Sequence, residues 1–275
     1  MNRMKLIAFD LDGTLLKDNK ELTARTLDAL RKASEAGIHL VPTTGRLYDG
    51  VPEEIRTLPF IRYVIGANGA EVYDAWEKKT LHRAEMDRGE IQRFFDAAEN
   101  AAAIIGCYKG GKAYMGKKDM EMMEAYSPGQ VLFRMMRRIY IPVADLREYL
   151  LESGETVQKL MLFFADLEER RRVLEEMKTS LSDLSVSSSV INNIEVNAKE
   201  ANKGAALRFL REYLNIEPEA TAAFGDGSND VTMLLEAGVG FAMENACAEA
   251  KEAADRMALS NEQEGVAREI ERLLA

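Results

Sequence analysis

Cysteine is nearly absent, with only Cys107 and Cys247 in 275 residues. Two thiols cannot build a disulfide framework, so the chain must bury a core of its own and suits a reducing compartment. Both read as inert packing residues. Histidine is equally scarce: His39 lies in a strand pattern and reads as structural, and His82 reads as exposed. Chemistry built on imidazole is therefore not expected. No surplus of Lys and Arg exists; the formal charge is -10. A nucleic-acid backbone or an anionic membrane needs the opposite sign, although a small phosphorylated ligand needs only a few local cations. No apolar run has the length of a signal-peptide core or a membrane span, and the expectation is a cytoplasmic protein. Internal repeats and low-complexity segments are also missing.

What is present is a sizeable apolar fraction, 47% of residues. Strand-like and helix-like segments alternate. Lys5 to Phe9 reads as a buried strand, and Thr23 to Ala36 as a helix with Thr23 as N-cap and Leu27, Leu30 and Ala33 at helical spacing. Further strands are read at Ile38 to Val41, Tyr63 to Gly66, Thr221 to Phe224 and Val239 to Ala242, and a helix at Asn229 to Glu236. Such alternation predicts an α/β fold, a doubly wound, Rossmann-like parallel sheet. From about Arg83 to Ser187 the pattern changes to an α+β unit with its own apolar faces. The expected organisation is a core of residues 1–82 and 189–275 and an inserted cap domain of residues 83–188.

Polar clusters fall at the ends of the predicted core strands. Asp10 and Asp12 follow the first strand and, two residues apart, face one site by strand alternation. Gly13 permits a sharp turn. Thr44-Gly45-Arg46 offers a hydroxyl and a glycine backbone at the entrance to a helix, which suits an anionic oxygen. Lys203 opens the Ala205 to Tyr213 helix. Gly225-Asp226-Gly227-Ser228-Asn229-Asp230 places two carboxylates in a glycine-rich loop, as ligands of a hard cation. Taken singly, each has a structural reading: a turn, an N-cap, a solvated lysine. Taken together they assemble a phosphoryl-transfer site, with Asp10 as nucleophile, Asp10 and Asp226 on Mg²⁺, Thr44 and Lys203 on phosphate oxygens, and Asp12 exchanging a proton with the leaving group.

The order of these motifs, with Asn68-Gly69-Ala70 between the second and third, resembles the haloacid dehalogenase superfamily of phosphatases, and the insert resembles the α/β (IIB-type) cap of its Cof-type branch. The resemblance covers nearly the whole chain. It implies that Asp10 forms an aspartyl-phosphate and that Asp12 is general acid/base and gives its backbone carbonyl to the metal. It also implies that Asp226 completes the metal ligands, that Asn229 approaches the phosphate, and that Asp230 orients Lys203 or the metal's waters. Arg46 and Asn68 shape the pocket. Glu244 stands where the family usually carries Gly, beside Asn245. The cap is expected to close over the site and choose the substrate. Lys109, Lys112 and the Arg134 to Arg138 stretch are candidates for that role, set against solvated surface positions. The expected reaction is Mg²⁺-dependent hydrolysis of a small phosphorylated metabolite, a sugar or cofactor phosphate, by a monomer or small homo-oligomer. A phosphomannomutase-like phosphomutase is the alternative, and a binding protein on an inactive phosphatase fold is a third reading that Asp10, Asp12, Lys203 and Asp226 argue against.

Overall fold

The computed structural model describes residues 4–127 and 129–275. The chain divides into two compact units, Met1–Arg83 with Asn202–Ala275, and Ala84–Ala201.

The first unit is built on a sheet in the order Arg256–Ala258, Val239–Met243, Thr221–Gly225, Leu6–Phe9, His39–Pro42. All four pairings are parallel. Leu6, Ile7, Ala8 and Phe9 are completely buried. An unbroken apolar run is what a strand covered on both faces requires, and burying each large side chain contributes roughly 1.5–3 kcal/mol. Register places Phe9 opposite Phe224, so Asp10 and the loop carrying Asp226 leave the sheet at the same level. Helix Ala24–Glu35 starts as expected, with the Thr23 hydroxyl accepting from Thr26 N at 3.2 Å. Its buried stripe is Thr26, Ala29, Leu30 and Ala33, and Leu27 faces outward. Tyr63–Gly66 does not extend this sheet. It pairs antiparallel with Glu71–Asp74, which pairs with Lys79–Arg83, and a Thr43–Ile65 bridge ties it to the end of the second core strand.

The second unit carries a six-stranded sheet, Leu184–Ser187, Asn193–Ala198, Lys159–Phe164, Ala103–Lys109, Lys112–Gly116, Tyr140–Val143. The insert is longer than its composition suggests. The Asn193–Ala198 strand pairs antiparallel with Leu184–Ser187 on one side and Lys159–Phe164 on the other, so the junction expected after residue 188 falls instead after Ala201. That strand escaped detection because Asn193, Glu195 and Asn197 interrupt its apolar alternation, yet all are buried. The burial is tolerable because the groups are paired: Lys159 Nζ donates to Glu195 at 2.9 Å, and Asn197 Nδ2 to Gln158 O at 2.8 Å. Helix Arg88–Ala98 is held by a capping box between Asp87 and Glu90.

Several side chains sit otherwise than expected. His82 is not exposed but half-buried, stacked on Phe209 with centroids 4.6 Å apart, and burial lowers its pKa. Lys109 is not solvated. It is buried, over the Tyr149 ring at 4.4 Å, bonded to the Tyr149 hydroxyl at 3.2 Å and paired with Glu155. Lys112, Arg134, Arg137 and Arg138 are exposed, as a solvated surface predicts. Cys107 is buried and Cys247 partly so, and burial pushes both thiols up, away from reactivity.

Candidate active site

The polar clusters of the first unit meet around Asp10. Its backbone N donates to Phe224 O at 3.0 Å, continuing the sheet pairing one residue past the strand. Its carboxylate accepts from Lys203 Nζ at 2.6 Å. Lys203 is the first residue of helix Lys203–Tyr213, whose N-cap Asn202 accepts from Ala205 N at 2.8 Å. The ammonium is fully buried, and it also donates to Asp230 Oδ1 at 2.5 Å. The other Asp230 oxygen accepts from the backbone N of Asp226 and of Gly227, each at 2.9 Å. Both Asp230 oxygens are thus committed to protein donors, and the residue braces Lys203 and the Asp226 loop.

Asp226 Oδ1 accepts from Thr14 Oγ1 at 2.6 Å. This contact requires Gly13. At φ +90 the position suits glycine, and a Cβ there would lie 2.5 Å from Asp226 Oδ2. Asn245 Nδ2 donates to Gly13 O at 2.8 Å, while Glu244 is exposed. Asn229 Nδ2 donates to Asn68 Oδ1 at 3.2 Å, with Asn68 held in the left-handed region at φ 61. Thr44 is buried, and its hydroxyl oxygen accepts from Arg46 N at 3.2 Å, which leaves the hydroxyl proton to donate elsewhere. No helix begins at Thr44, contrary to expectation: the segment turns, and the next helical turn is Tyr48–Gly50. Gly45 lies in that turn.

Asp12 departs most from the strand-alternation argument. The strand ends at Phe9, so Asp12 lies in the following turn and takes different cations. Arg46 grips it with both arms, Nε to Oδ2 and Nη2 to Oδ1, each at 2.8 Å. Lys20 Nζ reaches Oδ1 at 2.8 Å. Burial alone would raise the Asp12 pKa, but the Arg46 and Lys20 charges outweigh it and lower it. Asp10 moves the other way. Burial raises it well above the usual carboxylate range despite Lys203, and the charges of Asp230, Asp226 and Asp12 add to the rise.

Among the described residues, Asp10, Asp226 and Asp230 each offer a carboxylate oxygen within 4.8 Å of the others. They share one buried ammonium, so the donor set carries more negative charge than Lys203 offsets. Clustered hard oxygens with unbalanced charge fit a divalent cation such as Mg²⁺. Asp226 reports the same imbalance. Burial, with Asp230 adding to it, raises its pKa to about 6. An unfolded aspartate titrates near ~3.9. The folded protein therefore holds this proton more tightly, and the resulting stability is present below about pH 4 and lost as pH rises through about 6. In chelator, Asp226→Asn is expected to be more stable than wild type at pH 8 by about 1–3 kcal/mol, with the gap closing towards pH 4. Mg²⁺ should raise the wild-type melting temperature and leave the variant unmoved. Parallel pH profiles for the two proteins in chelator would contradict this.

Sequence reasoning expects Asp10, Asp226, Asp230, Lys203, Thr44 and Asn229 in one site; the structure brings Asp10, Lys203, Asp230 and Asp226 together, and links Asn229 to Asn68, whose backbone N donates to Thr44 O at 3.1 Å. It missed the work of Thr14, although that residue stands inside the first motif. It also missed Lys20, which no local pattern marks.

The chain resembles known proteins along its whole length. The family of haloacid dehalogenase-like hydrolases matches residues 7–270. Phosphatase YwpJ of Bacillus subtilis (strain 168) is 31% identical over 289 residues, covering 98% of this chain and all of that protein. The 5-amino-6-(5-phospho-D-ribitylamino)uracil phosphatase YcsE of the same organism is 31% identical over 274 residues, covering 97% and 94%. Among solved structures, a haloacid dehalogenase-like hydrolase from B. subtilis superposes with a TM-score of 0.85 at 31% identity, covering 98% of this chain and all of that one. With carboxylates at the ends of parallel core strands and an α+β insert in the chain between them, the chain belongs to the haloacid dehalogenase-like hydrolase family.

Proposed function

We propose that the chain is a phosphatase that hydrolyses small phosphomonoesters through a phosphorylated Asp10. The observation that carries this reading is the Asp10–Lys203–Asp230 arrangement, a buried carboxylate held at the end of a parallel strand by a fully buried ammonium, with Asp226 beside it. Mg²⁺ is held by Asp10, Asp226 and the backbone carbonyl of Asp12. When bound, the ion supplies positive charge that offsets the repulsion between Asp10 and the phosphoryl oxygens.

The residues divide the work as follows. Thr44, Lys203 and Asn229 hold the phosphoryl oxygens, while Gly45 and Arg46 shape the turn around them and Asp230 keeps Lys203 in place. An Asp10 oxygen attacks phosphorus, and the ester P–O bond breaks with its electron pair going to the leaving oxygen. Asp12 gives that oxygen the proton it took from water in the preceding turnover. Water then attacks the phosphorylated Asp10 and yields its proton to Asp12. The P–O bond to Asp10 breaks, its electron pair returns to the carboxylate, and inorganic phosphate departs.

The substrate class is a small phosphorylated metabolite, a sugar phosphate or a cofactor phosphate. The phosphate ester in the name of YcsE belongs in the same class. No helix among the described residues is long and apolar enough to cross a membrane, which accords with a substrate met in water. The test is phosphate release from a panel of sugar and cofactor phosphates in Mg²⁺ and in chelator. Release should fall on the order of 10²-fold or more in chelator. Interconversion of phosphate isomers without release would overturn hydrolysis in favour of a phosphomutase.

A further inference from the structure

We propose that Lys20 is a positioning residue for Asp12, and that the turn from Lys17 to Glu21 serves to deliver its ammonium to that carboxylate. The inference rests on the reading of Asp12 as the group that exchanges a proton with the leaving oxygen.

The geometry is costly for what it contributes to stability. Lys20 adopts φ 70, in the left-handed region, which costs an L-residue roughly 1–2 kcal/mol. Its ion pair with Asp12 is half-exposed on the lysine side, and such pairs contribute only about 0–1 kcal/mol. The contact does not offset the strain that makes it. The surrounding structure nevertheless imposes the conformation. Lys20 N donates to Lys17 O at 2.8 Å, and Lys17 N to Glu21 O at 3.2 Å. Glu21 N donates to Asn19 Oδ1 at 3.0 Å. The turn is pinned from outside by Asp18 N, which donates to Glu262 at 2.8 Å, and by Asn261 Nδ2, which donates to Leu16 O at 3.0 Å and Asp18 Oδ1 at 2.9 Å. A strained residue held by so many bonds from a distant segment points to function rather than stability.

What Lys20 adds is a second anchor. Arg46 spans both Asp12 oxygens from one loop, and its Nη1 is itself fixed on Gly50 O at 3.1 Å. Lys20 approaches Oδ1 from another loop. Two anchors from different directions constrain the carboxylate more than one does, Arg46 across both oxygens and Lys20 on Oδ1. A proton donor displaced by an ångström loses much of its effect. The loss falls on esters whose leaving oxygen needs the proton and spares those whose leaving group departs as a stable anion.

The test uses the full chain with Mg²⁺ and two probes, glycerol phosphate (a poor leaving group) and p-nitrophenyl phosphate (a good one). The quantity read is the ratio of their kcat/KM values, which reports the step that expels the leaving group. Lys20→Met should lower the glycerol-to-nitrophenyl ratio on the order of tenfold, and Lys20→Arg should restore most of it. A merely structural role would slow both esters alike, and that result, or an unchanged ratio, overturns the proposal. Asp12→Ala is measured alongside. If it shifts the ratio and Lys20→Met does not, only the role of Lys20 falls. If Asp12→Ala slows both esters equally, the proton-transfer reading of Asp12 falls, and this inference with it.

Discussion

Asp10→Asn is expected to lose phosphate release by on the order of 10⁴-fold or more, the scale on which removing a covalent nucleophile acts. The substitution is nearly isosteric. An amide oxygen still accepts from the Lys203 ammonium that now lies 2.6 Å from Asp10 Oδ1, so the site keeps its shape while losing the atom that bonds to phosphorus. Burial already disfavours the Asp10 charge, and the neutral amide removes that penalty. Thermal unfolding of the variant in chelator should accordingly match or exceed wild type, which separates lost chemistry from lost folding. Turnover within tenfold of wild type, in a folded variant, would remove the aspartyl-phosphate from the mechanism.

Lys203→Met is the second large effect, and it concerns the fold as well as the reaction. Lys203 is fully buried and bonded to both Asp10 and Asp230. Methionine fills much of the space but leaves those two carboxylates without the charge between them. Breaking a buried pair by removing one partner typically costs 3–5 kcal/mol, so a loss of about that size is expected. For a chain of this length that corresponds to a fall in melting temperature of roughly 10 °C. The pH dependence has a definite sign. Without the ammonium Asp10, already raised by burial, titrates higher still in the folded protein than in the unfolded chain, so the deficit is small in acid and grows as pH rises towards 8. Phosphate release should be lost as well, since the same nitrogen is assigned to the phosphoryl oxygens. Chemical denaturation at pH 5 and pH 8 in chelator checks it. A variant as stable as wild type at pH 8 would mean that Lys203 contributes nothing net to holding Asp10 and Asp230 together.

These expectations show where local sequence suffices and where it does not. An unbroken apolar run such as Leu6 to Phe9 marks a doubly covered strand by itself, because burial on both faces leaves no room for alternation. The Thr23 cap and the glycines around Asp226 are local in the same sense: backbone chemistry within a few residues dictates them. Strand ends in a parallel sheet lie at one edge, so the alternating pattern already implied that Asp10 and the Asp226 loop meet. The Asn193–Ala198 strand was not legible, since its buried polar residues are satisfied by partners on other strands.

By itself, then, the sequence determined the layered α/β core, the insertion of an α+β unit and the membership of Asp10, Asp226, Asp230 and Lys203 in one site, because each follows from periodicity, turn chemistry and chain order. Only the tertiary structure decided which cation each carboxylate takes. Lys203 serves Asp10 and Asp230, while Arg46 and Lys20 serve Asp12. Those choices depend on side chains brought together by loops far apart in the chain, and Coulomb energy is set by distance in space, on which spacing along the chain is silent.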